Sequence, residues 1–550
     1  MSLRKASVLL IVAGLAVGLI GPGISATFTD AVSAEQHINV GTFGCNISHA
    51  TNGAVISADH KSVAYNAPDI MSSAPGSAPF TFTVSSTGSI PVVLQVTQTT
   101  PAAPFTSILG SPVADVVLNQ GGTHDYAAGL QWPELTNTNL GMAVSISYSV
   151  SCGESGAATT SGDWMQFRFG PTHTGYNPNE TTISASNVAG LGVAWTATTG
   201  SEIDSSPAVA NGVVYIGSYD GKLYAFAVGC ASGGGTCTPL WTATTGAGIG
   251  SSPAVADGVV YVGSLDRKLY AYAVGCATGG GSCSPLWTAT TGGDIWGPPT
   301  VAAGVVYVGS GPTLYAYAVG CASGGGTCTP LWTATTGGGI AYPPAVANGV
   351  IYVGSQDHKL YAYAVGCATG GGSCSPLWTA TTGGAIGNST PAVADGVIYV
   401  GSQDGKLYAY AVGCATGGGS CSPLWTATTG GWINNAPAVA NGVVYVGSGD
   451  HKLYAYAVGC ATGGGSCSPL WTATAGDEMA SSPAVANGVV YVGSLDHKLY
   501  AYAVGCASGG ATCTPLWTAT TGDMVVSSPA VANGVVYVGS HDGKLYAYSL

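Results

Sequence analysis

Eight tryptophans, Trp195, Trp241, Trp287, Trp332, Trp378, Trp425, Trp471 and Trp517, recur every 45 to 47 residues, and each opens a near-copy of one passage. The passage runs Trp-Thr-Ala-Thr-Thr-Gly, a short variable loop, Pro-Ala-Val-Ala-Asn-Gly-Val-Val-Tyr-Val-Gly-Ser, a turn, and Lys-Leu-Tyr-Ala-Tyr. A fixed period of this length constrains the fold strongly. One such unit cannot bury its apolar face alone and must stack on its neighbours. Within one period the pattern predicts four short strands. These are Pro207–Ala210, Gly212–Gly217 after an Asn-Gly turn, Lys222–Val228 after Asp220-Gly221, and Leu240–Thr244 after a cysteine hairpin. Four antiparallel strands repeated radially predict a β-propeller blade.

The ends of the array predict how the ring closes. The array enters on a tryptophan strand, Val193–Thr198, and ends on a third strand, Lys544–Leu550. The first strand then completes the last blade, which leaves no free edge. It also explains eight tryptophans beside seven cysteine hairpins. The expected fold is all-β: an eight-bladed propeller over residues 163–550, closed by its N-terminal strand and preceded by a β-sandwich. An open solenoid is the alternative, and it would leave both ends uncapped.

Fourteen of the sixteen cysteines form Cys-x6-Cys pairs around Gly-rich hairpins. Cys230 pairs with Cys237, Cys276 with Cys283, Cys321 with Cys328, Cys367 with Cys374, Cys414 with Cys421, Cys460 with Cys467, and Cys506 with Cys513. Cys45 and Cys152 remain, bracketing the N-terminal region. An even count predicts eight disulfides and an oxidising compartment. Zinc would need two further ligands beside each pair, and none recurs. The start of the chain agrees with export. Arg4 and Lys5 precede an apolar run, Val8–Ile20, and small residues at Ile24-Ser25-Ala26 and Val32-Ser33-Ala34 offer cleavage sites. Residues 1–26 are expected to be a signal peptide, with a retained membrane anchor as the alternative. The protein is expected to be secreted or at the cell surface. A net charge of −13 with only 12 Lys and Arg argues against a nucleic-acid partner.

Residues 37–152 show alternating strands, Phe80–Val84, Val92–Val96, Ala114–Leu118 and Met142–Val150, and predict an antiparallel sandwich. Residues 153–162 read as a polar linker. Four motifs in this region resemble the camelysin and biofilm-fibre family: Ser25-Ala-Thr-Phe-Thr-Asp30, Val40-Gly-Thr-Phe43, Ser86-Thr-Gly-Ser-Ile-Pro91 and Gln131-Trp-Pro133. That resemblance implies a jelly-roll-like domain at the cell surface or in extracellular matrix, with cleavage before Thr27.

The repeat itself resembles the pyrroloquinoline quinone (PQQ) enzyme repeat. The lead-in Asp163-Trp-Met-Gln-Phe-Arg168 with His173-Thr-Gly-Tyr176, expected to pack on the repeats, is similar to the opening of quinoprotein propellers. The resemblance implies the fold; the family holds both PQQ-dependent dehydrogenases and non-enzymatic outer-membrane assembly lipoproteins. Its dehydrogenases carry a disulfide between adjacent cysteines, a calcium site of Glu, Asn and Asp, and a catalytic Asp. This chain has no adjacent cysteines and no matching acidic cluster with basic partners. No catalytic residue and no metal ligand is therefore assigned.

The copies disagree mainly in the loop after each tryptophan strand. One position there stays apolar, as Ile203, Ile249, Ile295, Ile340, Ile386, Ile433, Met479 or Val525, and reads as a packing anchor. Its neighbours vary and supply the candidate ligand-binding residues: Glu202, Asp204, Asp294, Trp296, Tyr342, Asn388, Trp432, Asn434, Asn435, Glu478 and Asp523. The turn between the second and third strands varies too, as Tyr219, Leu265, Gly311, Gln356, Gln403, Gly449, Leu495 and His541. In an antiparallel blade both sets lie on one face, around one mouth of the channel. Loops on a rigid scaffold are where binding sites concentrate, and neutral drift in exposed loops is the competing explanation. Trp296, Tyr342 and Trp432 can stack a flat ligand, and the polar candidates can hydrogen-bond it or hold a cation. The expectation is a non-catalytic module binding a protein or a glycan at this mouth. The alternatives are a PQQ- and calcium-dependent dehydrogenase of alcohols or sugars, and a structural adhesin polymerising through residues 37–152.

Overall fold

The computed structural model describes residues 162–550, apart from 278, 323, 369, 388, 416, 417 and 462, and before residue 162 it describes the backbone of strands only. The chain divides into two compact units, Met1–Ala157 and Ala158–Leu550. In the first, Gly76–Ser86 pairs antiparallel with Thr123–Trp132, and Tyr148–Glu154 pairs antiparallel with Val92–Gln98. The signal segment, its cleavage sites, the linker and the expected disulfide between Cys45 and Cys152 lie outside the residues whose side chains are described.

The second unit is an eight-bladed propeller. Blade 1 has strands Ala208–Ala210, Val213–Gly217, Lys222–Ala227 and Trp241–Thr244, each antiparallel to the next. The innermost hairpin turns on Asn211 and Gly212, at φ 52° and 76°. This pair of left-handed residues is what an Asn-Gly type I′ turn demands. Blades 2 to 8 repeat the pattern, with innermost strands Ala254–Ala256, Thr300–Ala302, Ala345–Ala347, Ala392–Ala394, Ala438–Ala440, Ala484–Ala486 and Ala530–Ala532. Gly192–Thr198 pairs antiparallel with Lys544–Ser549, so both ends of the array share blade 8, as the sequence predicts.

Seven blades carry a further outer strand that the four-strand expectation omitted. The segment Gly281–Cys283, half of a disulfide hairpin in blade 2, lies parallel to Trp241–Thr244 of blade 1, with Trp241 opposite Gly281 and Ala243 opposite Cys283. The same addition recurs around the ring, through Gly465–Cys467 on blade 5 and Ala511–Cys513 on blade 6 to Gly235–Cys237 on blade 8. On blade 2 the added strand is shorter, Gly326–Thr327, and the next residue, Cys328, still donates its N–H to Thr288 O at 2.8 Å.

All seven expected hairpin disulfides form. They join Cys230 to Cys237, Cys276 to Cys283, Cys321 to Cys328, Cys367 to Cys374, Cys414 to Cys421, Cys460 to Cys467, and Cys506 to Cys513, with Cα separations of 5.7 to 6.0 Å. Each hairpin thus fixes a strand that clasps the preceding blade. Blade 7 lacks this strand, because the hairpin that would supply it is where the two ends of the array meet. There Trp517 is only partly buried and its indole donates to Leu191 O at 3.0 Å. The other seven tryptophans of the repeat are buried. Six of them, Trp195, Trp241, Trp287, Trp332, Trp425 and Trp471, donate an indole N–H to a valine carbonyl of the next blade, as Trp241 does to Val274 at 3.1 Å.

The cores lie between blades. Tyr215, Leu223 and Trp241 of blade 1 pack on Val260, Val262 and Tyr272 of blade 2, together with Ile249. The apolar loop position is the anchor that was expected. Ile249 sits against Gly217, where a Cβ would come within 2.3 Å of Ile249 Cγ2. A side chain at Gly217 would therefore push adjacent blades apart.

The lead-in does more than pack on the repeats: it enters the ring and winds around its inner face. The Trp164 and Val209 backbones exchange hydrogen bonds at 2.8 and 2.7 Å. Val255 N–H then donates to Met165 O, Val346 to Pro171 O, Val393 to Thr172 O, Val439 to Thr174 O and Val485 to Gly175 O, at 2.7 to 2.8 Å. In blade 3 the Gln166 side chain takes over, accepting from Val301 N–H at 3.1 Å. In blade 8 Asn177 Nδ2 donates to Val531 O at 2.8 Å. One short segment therefore pairs the innermost edge of all eight blades, edges that would otherwise show unpaired amides to the channel.

Candidate functional site

The lead-in closes the channel. Arg168 is buried within it, and its guanidinium donates to Pro437 O at 2.5 Å, Pro483 O at 2.6 Å and His173 O at 3.3 Å. Burial lowers its pKa to about 9. His173 is also buried, with Nδ1 2.8 Å from Phe167 O and Nε2 3.0 Å from both Thr300 Oγ1 and Pro344 O. Burial lowers the imidazole pKa to about 4, so the ring is neutral near pH 7.

Above this plug is a cavity of about 370 Å³, open at the face that carries the variable loops and floored by Phe167. Two tiers of loop residues surround it. The outer tier is the residue after each apolar anchor: Asp204, Gly250, Trp296, Ala341, Asn434, Ala480 and Val526. The inner tier precedes the proline: Ser206, Ser252, Pro298, Ser482 and Ser528. Tyr342 joins them from a position that is serine in most blades. Those serines stay in the core, where Ser205 Oγ accepts Gly217 N–H at 3.1 Å and Ser527 Oγ accepts Gly539 N–H at 3.0 Å. Tyr342 is too large for that role and lines the cavity instead.

Charge in the mouth centres on Asp204. Its carboxylate accepts hydrogen bonds from Tyr219 Oη at 2.7 Å and from His541 Nε2. Burial pushes the Asp204 carboxyl up, but the bonds from His541 and Tyr219, with the imidazole's charge, outweigh it and hold the group below the usual range. The same contact raises His541, against its own burial. Tyr219 is pushed up by burial and then by Asp204, and Tyr342 is raised by burial and by the Asp204 charge. The mouth thus holds a stable carboxylate, and none of its lining residues is Lys or Arg.

The structure brings Asp204, Trp296, Tyr342 and Asn434 together from four blades. The other described candidates lie elsewhere. Asp294 pairs with Arg267 at 3.5 Å, and Asp523 with His497 at 3.7 Å. Trp432 donates to Glu478 Oε1 at 2.9 Å outside the cavity. Asn435 is buried in the inter-blade layer and donates to Met479 O at 2.8 Å. Glu202 does not line the cavity, and Asn388 lies outside the described residues. Sequence reasoning missed Phe167 and the four serines of the inner tier, and it placed Tyr219 and His541 at the mouth without making them candidates. His541 and Tyr219 had a signal, since they occupy the variable turn position. Among the described residues no group of three His, Cys, Asp or Glu is placed to hold a metal.

A family model described as outer membrane protein assembly factor BamB matches residues 228–320, 284–411, 368–463 and 461–550. Among solved structures, BamB from Moraxella catarrhalis superposes with TM-score 0.50 at 17% identity, covering 66% of this chain and 98% of its own. Quinohemoprotein alcohol dehydrogenase from Comamonas testosteroni gives TM-score 0.54 at 16% identity, covering 71% and 81%. A europium-containing methanol dehydrogenase gives 0.52 at 14% identity, covering 70% and 98%. These likenesses show the fold. No curated protein matches the sequence.

Proposed function

We propose a function from one premise: the chain belongs to the family of outer membrane protein assembly factor BamB. It is a non-catalytic binding module, and the mouth is its recognition site. One observation carries this reading. Four variable residues, Asp204, Trp296, Tyr342 and Asn434, come from different blades and converge on one cavity closed from behind by the plug. Blade geometry brings these loops to one face whatever their sequence; what supports recognition is the chemistry gathered there, an acid, an amide and two aromatic rings on one cavity wall. The family's description as an assembly factor agrees with a protein that works by contact. Seven disulfides fit an extracellular location.

The dehydrogenase likeness raises a second reading, PQQ with a metal ion. The residues of the mouth do not fit that group. PQQ is a tricarboxylate, and the lining offers a low-pKa carboxylate and no Lys or Arg. Calcium takes six to eight oxygens, usually with several carboxylates, and Asp204 is the lone acid of the lining. The structural-adhesin reading rests on the motifs of residues 37–152, and microscopy and size-exclusion chromatography of the full chain test it.

The binding reading is tested by replacing Trp296 and Tyr342 with Ala and screening protein and glycan arrays. Binding is expected in the parent and lost in the double variant, with unchanged circular dichroism. Retained binding refutes the site. A spectral change on titration with PQQ and calcium would favour the dehydrogenase.

A further inference from the structure

The two sides of the mouth differ in chemistry, and the difference selects a ligand class. Ser482, Ser528, Ser206 and Ser252 belong to four consecutive blades, 7, 8, 1 and 2. Each hydroxyl accepts a backbone N–H from the blade before it. Ala436 N–H donates to Ser482 Oγ at 3.0 Å, Ser482 N–H to Ser528 Oγ at 3.0 Å, Ser528 N–H to Ser206 Oγ at 2.9 Å, and Ser206 N–H to Ser252 Oγ at 2.8 Å. All four side chains are more than nine-tenths buried and all line the cavity. Among the described residues, none of the four hydroxyls has a protein acceptor for its own proton. A buried hydroxyl whose proton lacks an acceptor is costly unless a ligand or water takes it. The result is a crescent of four O–H donors.

Across the ring, blades 3 and 4 present an apolar wall. Trp296 is 51% exposed beside Pro298 and Tyr342. Its ring lies over Gly250, where a Cβ would be 3.8 Å from Trp296 Cε3 and 3.2 Å from the Tyr219 hydroxyl. An indole held open to water at the lip of a cavity is a stacking platform. On the crescent's side, in the same loop as Ser206, stands Asp204, an ionised acceptor whose side chain is 28% exposed.

A ligand that satisfies this mouth must accept several hydrogen bonds along one edge, donate at least one to a carboxylate, and offer a flat apolar face. An anion meets the Asp204 carboxylate, and the one cationic partner near it, the His541 imidazole, is already bonded to that carboxylate, with no Lys or Arg in the lining. A cation pairs with Asp204 but leaves the serine protons without acceptors. Neighbouring hydroxyls on a ring do both jobs, since each is donor and acceptor, and the C–H face of that ring stacks on indole. We infer that the mouth binds a neutral saccharide, seated with one pyranose face on Trp296 and Tyr342, its hydroxyl edge on the crescent of Ser482, Ser528, Ser206 and Ser252, and a hydroxyl donated to Asp204. This inference rests on the mouth being the binding site.

The test is calorimetric and fluorescence titration of the full chain with the methyl pyranosides of glucose, galactose, mannose and N-acetylglucosamine. Phenylacetate and a tyrosine-containing tripeptide serve as rival probes. At least one pyranoside should bind and perturb tryptophan emission. Trp296→Ala and Asp204→Asn should each weaken it about tenfold or more, and Ala480→Trp, which fills the cavity, should abolish it. Trp432→Ala, outside the cavity, should leave it unchanged. Thermal melting of each variant establishes that it is folded. If no pyranoside binds, the saccharide inference is overturned. Phenylacetate or tripeptide binding lost in Trp296→Ala would then leave the mouth standing as the site. If a pyranoside binds equally well to Trp296→Ala and Ala480→Trp, the mouth itself is the wrong site.

Discussion

The rim of the propeller and its hub follow opposite rules. At the rim, the same side chains recur blade after blade: a buried tryptophan, an indole bond to the next blade, a disulfide hairpin clasping the blade before it. At the hub, eight equivalent valines meet one lead-in segment that has no repeat, and each meets a different residue of it. Symmetry at the rim gives many small equal contributions to stability. Asymmetry at the hub makes a site, because eight identical walls can only surround a symmetric space. It also concentrates the consequence of any single change.

That contrast can be broken by experiment, beginning at the hub. Arg168→Ala removes the guanidinium that donates to Pro437 O, Pro483 O and His173 O and opens a cavity in the plug. It should cost on the order of 4 kcal/mol, read by denaturant unfolding. Arg168→Lys should cost less, since an ammonium keeps the charge but not the fork. A loss under about 1 kcal/mol for the Ala variant would mean that the plug contributes little to stability.

The second effect is acid lability. His173 titrates at about 4 in the fold against 6.5 in the unfolded chain. The unfolded state therefore binds the extra proton first as pH falls. The contribution is fully present above 6.5, declines between 6.5 and 4, and is gone below. The loss is about 3 kcal/mol. Stability measured against pH should fall more steeply in the parent than in His173→Gln. His541 has the opposite sign: its raised pKa favours the fold at low pH and loses that favour as pH rises through the folded value.

Rim changes should be smaller. Removing one hairpin disulfide with Cys414→Ser and Cys421→Ser releases a short loop and should cost about 2–3 kcal/mol. The same pair of changes at Cys367 and Cys374, or at Cys460 and Cys467, should cost the same within error, because the rim is uniform. The smallest effect lies at the gap in the rim. Outward amides of Trp517–Thr520, with no added strand, should exchange with deuterium faster than those of Trp471–Thr474, which face Ala511–Cys513. Equal protection would mean that Leu191 and its neighbours seal blade 7 as well as a strand does.

Most of the rim could be read from the chain. Blade number, ring closure and the hairpin disulfides follow from local spacing, such as Trp241 to Trp287 or Cys276 to Cys283. The fifth strand did not show, because Gly281–Cys283 is three residues long and pairs in parallel with another repeat. Nothing in its own sequence marks that partner. The plug did not show either. Residues 164–177 bond mostly to backbone amides, and a backbone amide looks the same under any side chain. At the mouth the variable loops pointed to Asp204, Trp296, Tyr342 and Asn434. The Ser-Ser pairs looked like plain loop. Only the closed ring puts Ser528 of blade 8 beside Ser206 of blade 1, 322 positions away in the chain.

The lead-in has a further consequence. Near-identical repeats are prone to duplication and loss when genes recombine, and the repeated interfaces of blades 1 to 6, each clasped by the next hairpin, do not by themselves fix the number of blades. The segment from Trp164 to Asn177 does. Its successive contacts reach eight valines and then stop, with Asp163 accepting from Asn211 N–H in blade 1 at 3.1 Å and from Asn533 Nδ2 in blade 8 at 3.0 Å. A ring of seven or nine would leave that tally out of step, with an amide bare or a residue stranded. The lead-in is the part of the molecule that counts.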